Sequence, residues 1–471
     1  MDLHTFAIRA LQTLRERLAD ASFRDRHRAS PKDFTRRRKL PFSNVVLLVL
    51  QKSLKSVQLH LHEFFARFAE ALAGAAPTAG GWTQARAKLR HTAFIELNEV
   101  AVLGPLEAEP GALRRWRGYR LLAIDGSVLR LPNAEEIWEH FGGQEPVNQS
   151  GPCGARVPQA RLSVLYDVLN HLGLDTQLGG FSTGEIELAA AHGAALRQGA
   201  SPGDRPALVP GAAASPGDRP PLVPGAAASV VLIDRGFAGY ECFARLAACG
   251  ADFVGRCPRR SFAAVVPLFA RDEAGVSRTV TLQAPRSAIA AGLPATLRVR
   301  FVTLRLSSGE LEVLATSLLD EASYPGADFL WLYGARWGIE TYYGVLKGRL
   351  DLENFSGQTV EAVLQDVHAA VFLGNLESLL SARVAQRLPT AGEGGRRHAA
   401  KVNRSVSFHA LKSRMWDLLL SAVPVEEVLA QLETLFAANP VSVRPERRST
   451  RASPTPLRSH HFFKRVRKVV Y

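Results

Sequence analysis

Cysteine and methionine are scarce in this 471-residue chain, with four of one and two of the other. Cys153, Cys242, Cys249 and Cys257 form no C-x-x-C pair, so neither a zinc ribbon nor a disulfide framework is indicated, and they read as small core residues. Long apolar runs are missing too. "VVLLVL" at 45–50 stops at Gln51 and Lys52, far short of the ~18 residues a membrane span needs, and reads as a buried turn of helix. The N-terminal stretch "MDLHTFAIRALQTLRERLAD" lacks the uninterrupted apolar segment and cleavage site of a secretory signal and reads as an amphipathic helix, so a cytoplasmic protein is expected. There is no G-x-x-x-x-G-K-[ST] loop, which argues against ATP-driven chemistry. The pairs His60/His62 and His460/His461 have no Cys or carboxylate at metal-ligand spacing and read as surface or core histidines.

Acid is also in deficit. Against 58 Lys and Arg stand 44 Asp and Glu, a formal net charge of +14, which suits a polyanionic partner such as nucleic acid. The excess is concentrated. Residues 24–39 hold eight basic residues and two acids, and residues 441–471 hold nine basic residues and Glu446 as the one acid. Either cluster alone could be a solvated face; two in one chain favour DNA or RNA.

Residues 1–110 read as a helical N-terminal DNA-binding region, broken at "GAAPTAGG" (74–81). Beyond that break Arg86, Lys88 and Arg90 fit either a duplex backbone or a plain surface helix. At "YRLLAIDGSVLRLP" the pattern turns to an apolar strand, an Asp-Gly turn and a second run, predicting a hairpin. Residues 161–181 supply two further strands, followed by a helix that Ser182 or Thr183 would cap. This order predicts a mixed α/β core, with a first part at 111–257 and a second at 321–385. Between them, 258–320 reads as an all-β insertion, and 386–471 as a basic C-terminal region. Within the first part, "SPGDRPALVPGAAA" (201–214) is repeated at once as "SPGDRPPLVPGAAA" (215–228). Two Pro/Gly-rich copies cannot form a solenoid, so they read as a duplicated surface loop, the doubling costing roughly 0.6 kcal/mol.

Three carboxylates stand out by position: Asp125 and Asp234, each closing an apolar strand, and Glu340, inside a helical stretch. Each has an ordinary explanation. Asp125 is in a turn dipeptide, Asp234 adjoins Arg235, and Glu340 is one helical turn from Arg336. Brought together they would repel unless a cation intervened. Mg²⁺, which prefers oxygen ligands, would resolve that, and two ions roughly 4 Å apart would suit phosphodiester transfer.

The stretch "YGARWGIETYYGVLKGRL" adds the spacing Y-x2-R-x3-E-x6-K through Tyr333, Arg336, Glu340 and Lys347. With "AIDGSVLRLP" and "LIDRGF" ahead of it in order, the chain resembles the DDE transposases of bacterial insertion sequences, in the branch whose third acid lies in that signature. The resemblance implies an α/β fold with a ribonuclease H-like catalytic core, Asp125, Asp234 and Glu340 as catalytic acids and metal ligands, and two Mg²⁺ ions for which Mn²⁺ can substitute. It further implies DNA contacts by Tyr333, Arg336 and Lys347, double-stranded DNA as partner, a homodimer when two ends are synapsed, and a nucleoid-associated cytoplasmic protein. Offsets of 3, 7 and 14 from Tyr333 would lie on one face of a single helix; Trp337 is expected in the core, and Tyr342 and Tyr343 take no role. A nuclease without strand transfer and a non-catalytic DNA-binding protein derived from a transposase remain as alternatives.

Overall fold

The computed structural model describes residues 2–36, 39–67, 76–109, 111–145, 147–148, 151–152, 156–196, 229–392 and 397–443. The 201–228 duplication, Cys153 and most of the basic cluster at 441–471 lie outside them. The chain divides into two units: residues 113–129 with 160–343, and residues 1–112 with 130–159 and 344–471.

The first unit is built on a central sheet. Its strands are β1 (Arg120–Arg130), β2 (Val157–Asp167), β3 (Leu172–Gly180), β4 (Ser229–Ile233), β5 (Asp252–Arg256), β6 (Ser277–Gln283), β7 (Thr296–Arg305) and β8 (Leu311–Thr316). They run β3-β2-β1-β4-β5-β8-β7-β6 across the sheet. β1, β4 and β5 are mutually parallel, in register from Arg120↔Ser229 to Ile124↔Ile233 and from Val230↔Asp252 to Ile233↔Gly255. This central position explains why "SVVLI" is buried at every residue: a parallel strand is covered on both faces and reads as a continuous apolar run. β4 keeps this pairing on both sides immediately after the duplicated segment.

Helix Tyr240–Ala248 lays Cys242, Phe243 and Leu246 on this sheet, with the Phe243 and Phe253 rings stacked at 4.4 Å. The fit requires Gly255, where a Cβ would fall 2.9 Å from Ile233 Cγ1. Cys242 and Cys257 are buried, as small core residues should be.

Local corrections follow from tertiary pairing. Asp125-Gly126 does not turn: β1 runs through it as one 11-residue strand, and Gly126 does not take the positive φ that a two-residue hairpin turn demands. The helix after β3 spans Glu185–Ala191 behind Gly184 without a side-chain cap, because Thr183 turns back against Gly179. Residues 258–320, expected to be all β, also hold helices Val266–Arg271 and Arg286–Ala290, while β6, β7 and β8 continue the central sheet by antiparallel pairing.

The second unit is largely helical. Asp2 caps helix Leu3–Ala19 by accepting from the His4 and Thr5 amides. Helix Phe42–Leu50, which contains "VVLLVL", is buried over almost its whole length. Helix Val360–Arg387, 28 residues long and capped by Thr359, is buried along much of its length and packs against helices Leu3–Ala19, Phe42–Leu50, Thr92–Asn98 and Val425–Ala438. Arg86 is no surface base. It is 3% exposed and bonds to Gln365 Oε1 at 2.7 Å, Ala362 O at 2.9 Å and Asp366 Oδ1 at 2.8 Å. No described helix is long and apolar enough to cross a membrane.

Candidate active site

The parallel pairing of β1 with β4 ends at Ile124↔Ile233, and the next residue on each strand is an aspartate. Asp125 and Asp234 therefore sit where this parallel pairing stops, Asp234 just past the carboxyl end of β4, where open α/β sheets put their ligands, and Asp125 midway along β1. Asp125 Oδ1 accepts from the Gly126 amide at 2.8 Å, and its carbonyl accepts from Tyr343 Oη at 2.6 Å. Asp234 precedes the single turn Arg235–Phe237 that leads into helix Tyr240–Ala248.

Glu340 comes from the first turn of helix Trp337–Gly348. That helix is fastened to β2, with Tyr342 stacked on Tyr166 at 4.5 Å and Gly338 close against Tyr166 and Val168. The signature does not lie along one helix. Tyr333 ends helix Asp328–Gly334, and Arg336 sits in the break before the next helix. There the backbone tightens to i→i−3 bonds, from Arg336 N to Tyr333 O and from Ile339 N to Arg336 O. The break places Arg336 among the acids. Its Nη2 lies 3.0 Å from Glu340 Oε1 and 3.9 Å from Asp234 Oδ1, while Tyr333 Oη donates to Asp234 Oδ1 at 3.4 Å.

Tyr333 and Arg336 are buried at 6% and 5% exposure, so both face carboxylates rather than water. The Arg336 guanidinium lies over the rings of Tyr333 and Trp337 at 5.6 and 5.5 Å. Trp337, expected in the core, is 51% exposed, its place taken by Ile339 and Tyr342 on the inward helix face. Lys347 occupies the last turn of the helix and pairs with Glu353 at 3.6 Å.

The electrostatics carry the imprint of three acids and one base. Burial pushes the Asp125 carboxyl up to about 6; the Gly126 amide and Arg336 pull it down, and the charges of Asp234 and Glu340 push it up again. Burial opposes the Arg336 charge, but Tyr333, Asp234 and Glu340 outweigh it and hold the guanidinium protonated. Arg336 Nε is buried without a hydrogen-bond partner.

As they stand, no three His, Cys, Asp or Glu side chains among the described residues are gathered closely enough to hold a metal ion. The donor chemistry nevertheless fits a hard divalent cation: Asp125, Asp234 and Glu340 offer only carboxylate oxygen, and a fixed positive charge already sits between two of them. Tyr343 had no role in the sequence reading. The available signal was its spacing, one helical turn from Glu340.

A second polar chain has the atom spacing of a hydrolytic triad. Ser163 Oγ lies 3.0 Å from His192 Nε2, and His192 Nδ1 lies 2.8 Å from Asp175 Oδ2. All three are buried, at 2%, 0% and 6% exposure. It acts as a strut, tying the end of helix Glu185–Ala191 to β2 and β3.

The sequence model of the family described as transposase DDE domain matches residues 116–376, more than half of the chain. No curated protein matches. Among solved structures, the chain is similar to the piggyBac transposase synaptic complex with hairpin DNA, at 13% identity and a TM-score of 0.38, over 88% of this chain and 77% of that one.

Proposed function

The chain belongs to that transposase family, and from this premise we propose that it cleaves DNA at the ends of an insertion sequence and joins the freed ends to target DNA, with Asp125, Asp234 and Glu340 as its metal-holding catalytic acids. The observation that carries the proposal is that Asp125 and Asp234 each come next after the last paired residues of two adjacent parallel strands, with Glu340 linked to Asp234 through Arg336. The same arrangement supports a ribonuclease H-like core, and the Y-x2-R-x3-E-x6-K spacing supports the insertion-sequence branch.

Divalent ions, Mg²⁺ or Mn²⁺, held by the three acids would activate the attacking oxygen and stabilise the leaving oxygen of a phosphodiester. The chain's own residues prepare that site. Tyr343 fixes the Asp125 backbone from the Glu340 helix, so strand and helix acids keep one spacing. Arg336, supported by Tyr333 and the Trp337 ring, neutralises Asp234 and Glu340 and presents a guanidinium suited to a DNA phosphate. Lys347 supplies a further positive charge for the same backbone. Hydrolysis of one strand would free a 3′-OH, which then attacks target DNA by transesterification, a sequence that needs no nucleotide triphosphate. Double-stranded DNA is the partner, with two copies of the chain joined on two ends.

The test uses the full chain, Mg²⁺ and duplexes carrying the DNA that flanks its gene. Joined products are expected. Nicked products alone would make it a nuclease, and binding without cleavage a non-catalytic DNA-binding protein.

A further inference from the structure

A fourth carboxylate stands against the glycines that follow the two strand aspartates. Glu185, the first residue of helix Glu185–Ala191, lies against the glycine that follows Asp125: a Cβ built on Gly126 would be 3.5 Å from its Cγ and from its Oε1. It also reaches the glycine two residues beyond Asp234, where a Cβ on Gly236 would be 3.8 Å from its Oε2. One carboxylate thus spans the backbone just past both acids, at the two positions where the sequence has no side chain to block it. The phenol of Tyr343, which holds the Asp125 carbonyl, senses the charges of both Asp125 and Glu185.

Glu185 is held in place from two sides. Arg161 Nη1 contacts its Oε1 at 3.2 Å while Arg161 Nε donates to Phe181 O at 3.0 Å. The far end of the helix is pinned by His192 to Ser163 and Asp175. An ion pair this accessible, with Glu185 47% exposed, contributes only about 0–1 kcal/mol, so stability alone gives weak reason for the acid to be there. The pairing repeats that of Glu340 with Arg336, whose buried Nε is left without a partner in the same site.

Resting on the function proposed above, we propose that Glu185 is a fourth acid of this site, acting with Asp125 and Asp234 on the divalent cation. Arg161 is then its counter-ion in the metal-free protein, released when the cation binds.

Calorimetric titration of the full-length protein with Mn²⁺, in the absence of DNA, tests this. Glu185→Gln is expected to weaken Mn²⁺ binding roughly tenfold at an unchanged metal-free melting temperature, whereas Glu187→Gln, another exposed acid of the same helix, leaves it as in wild type. Arg161→Gln is expected to leave affinity equal or tighter. If Arg161→Gln weakened binding as much as Glu185→Gln, the acid would matter only through its ion pair and the inference would fall. Wild-type binding by Glu185→Gln, with binding lost in Asp125→Asn, would overturn this inference alone. Wild-type binding by Asp125→Asn, Asp234→Asn and Glu340→Gln would instead remove the metal site proposed above. Should Glu185→Gln fail to fold, Glu185→Asp, which keeps the charge on a shorter stem, must show the same weakening.

Discussion

Replacing Asp125 by asparagine is expected to stabilise the metal-free protein while abolishing cleavage. The carboxyl is held at about 6 against an ordinary 3.8, chiefly because β1 buries it. The folded state therefore keeps the proton longer than the unfolded chain does. That contribution to stability is complete below pH 3.8 and is lost as pH rises through 6, so at neutral pH the ionised group works against the fold. At roughly 1.36 kcal/mol per pH unit the difference is about 3 kcal/mol, and closer to 2 once partial contact with water is allowed for. Asparagine keeps the shape without the charge. For a unit of this size such a gain corresponds to roughly 4–8 °C in melting temperature. The assay is thermal unfolding of wild type and Asp125→Asn in EDTA from pH 3.5 to 7.5. The two should melt together at the acid end and separate as pH passes 6, the variant higher. Added Mn²⁺ should raise the melting temperature of wild type only, because a ligand that binds the folded state stabilises it by mass action. If Asp125→Asn melted at or below wild type at pH 7.5 in EDTA, the account of Asp125 as a desolvated carboxyl crowded by two others would be wrong.

Four further outcomes are expected. Asp234→Asn and Glu340→Gln should each lower strand cleavage at least about a hundredfold at native circular dichroism, read on end-labelled duplex; wild-type rates in either would remove that acid from the mechanism. Tyr343→Phe deletes the donor to the Asp125 carbonyl and should cost about 1 kcal/mol, seen as a shifted urea midpoint together with a slower cleavage rate. Arg86→Ala leaves Asp366 buried without its closest cation and should destabilise by about 3–5 kcal/mol in urea unfolding followed by circular dichroism. Ser163 should resist a serine-directed fluorophosphonate in the folded protein despite its bond to His192, because the whole chain of groups is buried; rapid labelling would contradict its role as a strut.

Much of this site is legible before any coordinates. Asp125 and Asp234 announce themselves because each ends an apolar run, and a parallel strand covered on both faces must be apolar along its length. The signature from Tyr333 to Lys347 is legible because its spacing is covalent. What misled were features whose local and tertiary meanings differ. Asp-Gly is a turn dipeptide in isolation, yet pairing carries β1 straight through Asp125-Gly126. Arg86 looks like a surface base on a periodic helix, yet Asp366, 280 positions away, draws it inside. Trp337 looks like core, yet the break at Ala335 and Arg336 rotates the following helix so that Ile339 and Tyr342 face inward.

The sequence by itself determined the class of the protein: basic enough for a polyanion, mixed α/β, with three acids in order and a spaced Tyr, Arg, Glu and Lys. Those properties follow from composition and from periodicities only a few residues long. Tertiary structure alone decided that one arginine lies between Asp234 and Glu340, that Tyr343 holds the Asp125 carbonyl, and that Glu185 reaches the glycines beside both aspartates. Each depends on pairing between segments far apart in the chain. A carboxylate's chemistry is set by the charges and water that pairing brings to it or takes away.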